Sequence, residues 1–166
     1  MLNPDFAEML RALCAEDVDY LLVGAYAMAA HGVPRATGDL DVWVRPTPQN
    51  AQRVLRALRR FGAPLLDLTA ADLARAGTVF QIGLAPRRID IMTSIDGVSF
   101  EEAWPGRVRC RLGGDDVVVL GRDDLVRNKR AAKRPKDLVD LQLLGEGGAR
   151  RRRPAKKPGR PRTRRR

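Results

Sequence analysis

The 166 residues include two cysteines, one histidine and few aromatics (5%), and each scarcity narrows the field. Cys14 and Cys110 stand far apart in no paired spacing, so neither a disulfide framework nor a zinc site is expected. His31, the single histidine, falls at the expected end of a helix, where it caps, packs or catalyses. No apolar run approaches the roughly 20 residues that cross a bilayer. The opening Met1-Leu2-Asn3-Pro4-Asp5 lacks the basic-then-apolar layout of a signal peptide. No membrane partner and a cytoplasmic location are therefore expected. Acidic residues are absent from 149–166, which hold eleven of the 31 lysines and arginines, leaving 20 bases against 20 acids in 1–148. The body is neutral, and the pI of 10.9 describes the tail alone.

The body, residues 1–148, is long enough to bury a core as one domain. Apolar residues at Phe6, Met9, Leu10 and Leu13 predict an amphipathic helix over 4–16. The apolar run 20–23 predicts a buried strand, Gly24 a tight turn, and 25–30 a helix. A glycine where a strand feeds a helix lets backbone N–H groups approach an anion. The loop His31-Gly32-Val33-Pro34-Arg35-Ala36-Thr37-Gly38 follows; Arg35 and Thr37 either hold phosphate oxygens or order the loop. Thr47-Pro48 predicts a capped helix over 48–61 that exposes Arg53, Arg56, Arg59 and Arg60 and is closed by Gly62. Thr69 to Asp72 and Ser99 to Glu102 have the pattern of capping boxes. Strands are predicted over 78–83 and 87–94 around Leu84-Ala85-Pro86, and over 107–112 and 116–120 around Gly113-Gly114. Helices follow from Arg122, with a break at Pro135 and a last apolar series Leu138, Leu141, Leu144.

Within this frame Gly38-Asp39-Leu40-Asp41-Val42-Trp43-Val44 is unusual. Strand side chains alternate with a period of two, so Asp39 and Asp41 share a face opposite Leu40, Val42 and Val44. Paired like charges repel and desolvate badly, so the doublet is either an acidic outer face or a cation site. Asp90, opposite Ile89 and Ile91 on a later strand, is a candidate third partner, and Arg88 and Met92 alternate onto its side.

Val23-Gly24, thirteen residues between Ala25 and Asp39, Asp39-Leu40-Asp41 and Ile89-Asp90-Ile91 together resemble the polymerase beta-like nucleotidyltransferase superfamily. The likeness is to its minimal and abortive-infection toxin-like members, and runs from about residue 18 to 145. It implies an α/β (α+β) nucleotidyltransferase fold, a mixed sheet flanked by helices. It also implies that Asp39, Asp41 and Asp90 hold divalent metal, two magnesium ions, and that Asp90 takes a proton. The substrate would be a nucleoside triphosphate held at Gly24, Ala25, Arg35, Thr37 and Lys129, with Asp137 orienting groups around the site. A nucleoside monophosphate would pass to an RNA or protein hydroxyl with release of pyrophosphate, in a toxin–antitoxin setting with an antitoxin as partner. Ala25 stands where the family pattern has Gly or Ser, and so lacks the hydroxyl of many relatives. The alternative is a catalytically weak, nucleic-acid-binding regulator or antitoxin with the same fold.

The tail, 149–166, has almost no apolar content and is expected to be disordered. Its Lys156-Lys157-Pro158-Gly159-Arg160-Pro161-Arg162 looks like the core of an AT-hook. Lys156, Lys157, Arg160 and Arg162 are the candidate DNA or RNA contacts, by counterion release or in a narrow minor groove.

Overall fold

A computed structural model of the chain describes residues 1–146, so the basic tail with Lys156, Lys157, Arg160 and Arg162 lies outside the described residues. The order is α1 (Pro4–Ala15), β1 (Tyr20–Leu22), α2 (Gly24–Ala30), β2 (Asp39–Val44), α3 (Pro48–Phe61), α4 (Ala70–Leu73), β3 (Val79–Leu84), β4 (Arg87–Met92), α5 (Phe100–Ala103), β5 (Val108–Leu112), β6 (Asp115–Val119), α6 (Arg122–Ala132) and α7 (Pro135–Leu143). Local chemistry sets the boundaries. Proline enters α1, α3 and α7 in the first turn, where no intrahelical N–H is lost. Thr47 caps α3, and Gly62 closes it at φ +87°, a left-handed position. Both expected capping boxes form, at Thr69 with Asp72 and at Ser99 with Glu102.

The six strands make one mixed sheet in the order β3-β4-β2-β1-β6-β5. Two hairpins, β3/β4 and β5/β6, flank the central pair β1/β2. β2 runs antiparallel to β1 and parallel to β4, with Asp39 opposite Arg88 and Asp41 opposite Asp90. Strand alternation divides the core in two. Leu40, Val42, Val44, Ile89 and Ile91 pack with the buried faces of α1 and α3. On the other face Trp43 packs with Met28 of α2, Phe100 of α5, Leu125 of α6 and Leu141 of α7. Trp43 meets Phe100 edge-on at 5.0 Å. Asn50 fastens the first layer: buried in α3, it accepts the Asp19 N–H and donates to the carbonyls of Asp19 and Arg45.

The last helix departs from the sequence expectation. Leu141 and the capping Leu144 are buried but Leu138 is 54% exposed, because the inward face of α7 runs Asp137, Asp140, Leu141. Two of its three buried positions are carboxylates. Among the described residues no helix is long and apolar enough to cross a membrane.

Candidate active site

The face of β2 that buries Trp43 also carries Asp39 and Asp41, and there a cavity of about 440 Å³ takes the place of a packed helix. Gly24, Ala25, Arg35, Thr37, Asp39, Asp41, Asp90 and Lys129 all line it, whereas Asp137 is fully buried behind the wall and does not. Arg88, Asn128, Arg134 and Lys136 complete the wall. A larger hollow of about 790 Å³ at the β5 edge contains none of the candidates. Its four arginines, Arg53, Arg107, Arg109 and Arg111, face Asp17, Asp19 and Asp116, so size does not locate the site.

Backbone geometry explains the glycine. Gly24 has φ +62°, and a Cβ there would stand 2.2 Å from Asp41 Oδ2, so only glycine lets the chain pass so close to that carboxylate. The Val23 N–H donates to the Asp41 carbonyl at 3.1 Å and ties the turn to β2. Ala25 is buried beside them, with a methyl where a hydroxyl would otherwise face the cavity. Thr37 orders the approach to the strand: its Oγ1 accepts the Asp39 N–H and donates to the Asp39 carbonyl, both at 3.1 Å.

The carboxylates differ in company. Burial pushes the Asp41 carboxyl above its ordinary range, and repulsion from Asp90 and Asp39 pushes it further. Burial also raises Asp90, although Arg88 opposes the shift. Arg88 Nη2 donates to Asp39 Oδ2 at 3.3 Å, and its Nε stands 2.9 Å from Asp90 Oδ1. Asp41 has no ion-pair partner among the described residues.

Facing the acids is a cationic wall in which Lys129, Arg134 and Arg35 are themselves paired. Lys129 is 2% exposed, and its Nζ lies 3.1 Å from Asp137 Oδ1 and 2.7 Å from Asp140 Oδ2. Arg134 Nε donates to Asp137 Oδ2 at 2.7 Å, and Arg35 Nη1 to Asp140 Oδ1 at 2.5 Å. Burial works against the charge on Asp137, but Arg134 and Lys129 outweigh it and hold its carboxyl below the usual range. Arg35 thus pins the loop before β2 to α7, and Lys129 lies on the cavity wall with its charge shared between two aspartates. Sequence reasoning missed Asp140 as a partner of Arg35 and gave Arg88 no role. The signals were present in the period-two placement of Arg88 beside Asp90 and the three-residue spacing of Asp137 and Asp140.

A divalent ion is tested by this donor set. All the oxygens are hard carboxylate donors, which suit magnesium. Asp41 is an unpaired, partly buried carboxylate that such an ion would stabilise. Among the described residues, however, no three acidic, histidine or cysteine side chains close into a ready ligand set. Arg88 stands between two of the three. The oxygen donors of Asp39, Asp41 and Asp90 suit such an ion, and of the three only Asp41 has no ion-pair partner among the described residues.

The architecture is that of a nucleotidyltransferase fold. One solved relative in shape is a candidate nucleotidyltransferase from Thermotoga maritima, with a TM-score of 0.53 and 14% identity over 88% of this chain and 94% of that one. Another is the lincosamide antibiotic adenylyltransferase LnuA in its lincomycin-bound form, with a TM-score of 0.58 and 10% identity over 89% of this chain and 99% of that one. No protein-family model and no curated protein matches the chain.

Proposed function

We propose that the chain is a metal-dependent nucleotidyltransferase, passing a nucleoside monophosphate from a triphosphate to a hydroxyl and releasing pyrophosphate. The observation that carries this reading is the single cavity in which Asp39, Asp41 and Asp90 face Arg35, Lys129, Arg134 and Lys136 across the Gly24 turn. Acids on one wall and bases on the other suit a magnesium triphosphate, which presents charge of both signs.

Asp39 and Asp41 would hold the metal, with Asp90 beside them. When bound, the ion polarises the phosphoryl oxygens and offsets their charge. The chain's own residues do the rest. The Gly24 turn brings backbone to the edge of the carboxylates and leaves room for the triphosphate, while Lys136 and Arg134 face its outgoing end. Asp90, made more basic by burial, takes the proton of the attacking hydroxyl. That hydroxyl oxygen forms a bond to the α-phosphorus as the bond from the α-phosphorus to the bridging oxygen breaks. The leaving pyrophosphate carries the bond's electron pair.

We assign an RNA or protein hydroxyl as acceptor and a toxin–antitoxin pair as setting, on the resemblance of the Gly24 turn, the Asp39-x-Asp41 pair and Asp90 to toxin-like members of the superfamily. DNA or RNA binding is assigned to Lys156, Lys157, Arg160 and Arg162 by their composition. The lincosamide adenylyltransferase makes a small hydroxylated molecule the acceptor class that an assay must also include. Ala25 and the Arg88 contacts favour a second reading, a weakly catalytic regulator that binds nucleotide without turning it over. Each α-labelled triphosphate incubated with magnesium and RNA, protein lysate or a lincosamide panel separates the two. Transfer that disappears in Asp41→Asn supports the enzyme. Absence of transfer to every acceptor class, with triphosphate binding retained, supports the regulator.

A further inference from the structure

Three carboxylates share one face of β2 and β4, and one guanidinium stands among them. Arg88 lies opposite Asp39 in the β2/β4 register and two residues before Asp90, so strand alternation delivers it to their side. Nη2 meets Asp39 Oδ2 at 3.3 Å with hydrogen-bond geometry. Nε lies only 2.9 Å from Asp90 Oδ1, yet both atoms are buried and neither finds an aligned hydrogen-bond partner. A guanidinium suited to a bidentate grip has one aligned contact and one misdirected one. The Arg88 side chain is also 32% exposed, so it has room to leave. The charges do not balance: one cation pairs with two of the three carboxylates, and Asp41 has no ion-pair partner among the described residues.

We propose that Arg88 is a built-in counter-cation holding the position between Asp39 and Asp90 that a divalent ion would otherwise take. This rests on reading the cavity as a metal-dependent nucleotidyl-transfer site. The free protein then accepts one divalent ion, at Asp41 with the remaining oxygen of Asp39. A second ion reaches Asp90 only after Arg88 withdraws. A triphosphate supplies the reason to withdraw, because guanidinium binds phosphate oxygens bidentately. Arg88 passes from carboxylate to phosphate, Asp90 is freed, and nucleotide binding is coupled to completion of the site.

The test titrates Mn²⁺ into the full chain and follows free ion by electron paramagnetic resonance, with and without a non-hydrolysable triphosphate analogue. The wild type alone is expected to bind one ion, lost in Asp41→Asn, and to bind a second only with the analogue. In Arg88→Gln the second ion is expected without the analogue, or the first binds at least about tenfold more tightly, because a neighbouring positive charge has been removed. Arg88→Lys keeps the charge and is expected to bind one ion without the analogue, as the wild type does, which separates electrostatics from misfolding. Equal stoichiometry and affinity in wild type and Arg88→Gln, with binding still lost in Asp41→Asn, overturns the proposal and leaves the metal site standing. Absence of Mn²⁺ binding in all variants overturns both.

Discussion

Lys129→Met places a side chain of similar length and no charge between two buried aspartates, which makes it a severe test of the wall opposite the acids. The wild-type ammonium is 2% exposed and lies 3.1 Å from Asp137 and 2.7 Å from Asp140, whose side chains are fully buried. Removing one partner of a buried ion pair costs about 3 to 5 kcal/mol, because the remaining charge keeps its desolvation and loses its attraction. Here each aspartate retains an arginine, Arg134 on Asp137 and Arg35 on Asp140, with side chains 55% and 33% exposed. Those partners hold the loss to the low end, about 3 kcal/mol, or roughly 6 to 12 °C in melting temperature for a chain of this size. Equilibrium urea unfolding at pH 7, followed by far-ultraviolet circular dichroism, measures it. Lys129→Met with Asp140→Asn is expected to recover part of the loss, since the cation and one of its acids then leave together. A loss below about 1 kcal/mol for the single variant would refute the reasoning, and would mean that the two arginines satisfy both acids unaided.

Gly24→Ala forces a Cβ to within 2.2 Å of Asp41 Oδ2 at a left-handed backbone position. It is expected to cost about 1 to 3 kcal/mol and to weaken binding of a fluorescent triphosphate analogue, read by melting and by anisotropy. Asn50→Leu leaves the Asp19 N–H without its partner, while the carbonyls of Asp19 and Arg45 keep the N–H donors of Arg45 and Thr47, and is expected to lower stability by about 1 to 3 kcal/mol in urea unfolding. Asp137 has its carboxyl held below the ordinary range, so its contribution is complete above that range and lost as pH falls through the lowered value. Melting temperature recorded from pH 6 down to pH 2 is therefore expected to fall less steeply in Asp137→Asn than in the wild type.

Much of the fold was legible because local and periodic signals agreed. Thr47-Pro48, Gly62 and the two capping boxes mark helix ends by chemistry that acts within four residues, and each forms as expected. Alternation along β2 and β4 separates Leu40, Val42 and Ile91 from Asp39, Asp41 and Asp90 for the same reason. The last helix was harder, because apolar periodicity selects Leu138 while the buried face includes Asp137 and Asp140. A carboxylate looks like a surface residue until its cations are known, and these come from α6, from Arg134 at the start of α7 and from the loop before β2. Lys129 was expected to reach for phosphate, and its position on the cavity wall is compatible with that. The three-residue spacing of Asp137 and Asp140 puts both on one side of α7, but their meeting with Lys129 depends on how α6 packs against α7, which spacing does not encode.

The β2/β4 register, with Asp41 opposite Asp90, also bears on how the chain avoids folding wrongly. A slip of one residue in β2 would turn Asp39 and Asp41 toward Ala51, Val54 and Leu58, and would expel Leu40 and Val42 into the cavity. Burying two unpaired carboxylates costs several kcal/mol each, so the slipped pairing is excluded by the residues proposed for chemistry. The acids therefore act as proofreaders of strand alignment. Replacing them with leucine would remove that check along with the charge, whereas asparagine keeps a polar group that still rejects the apolar layer.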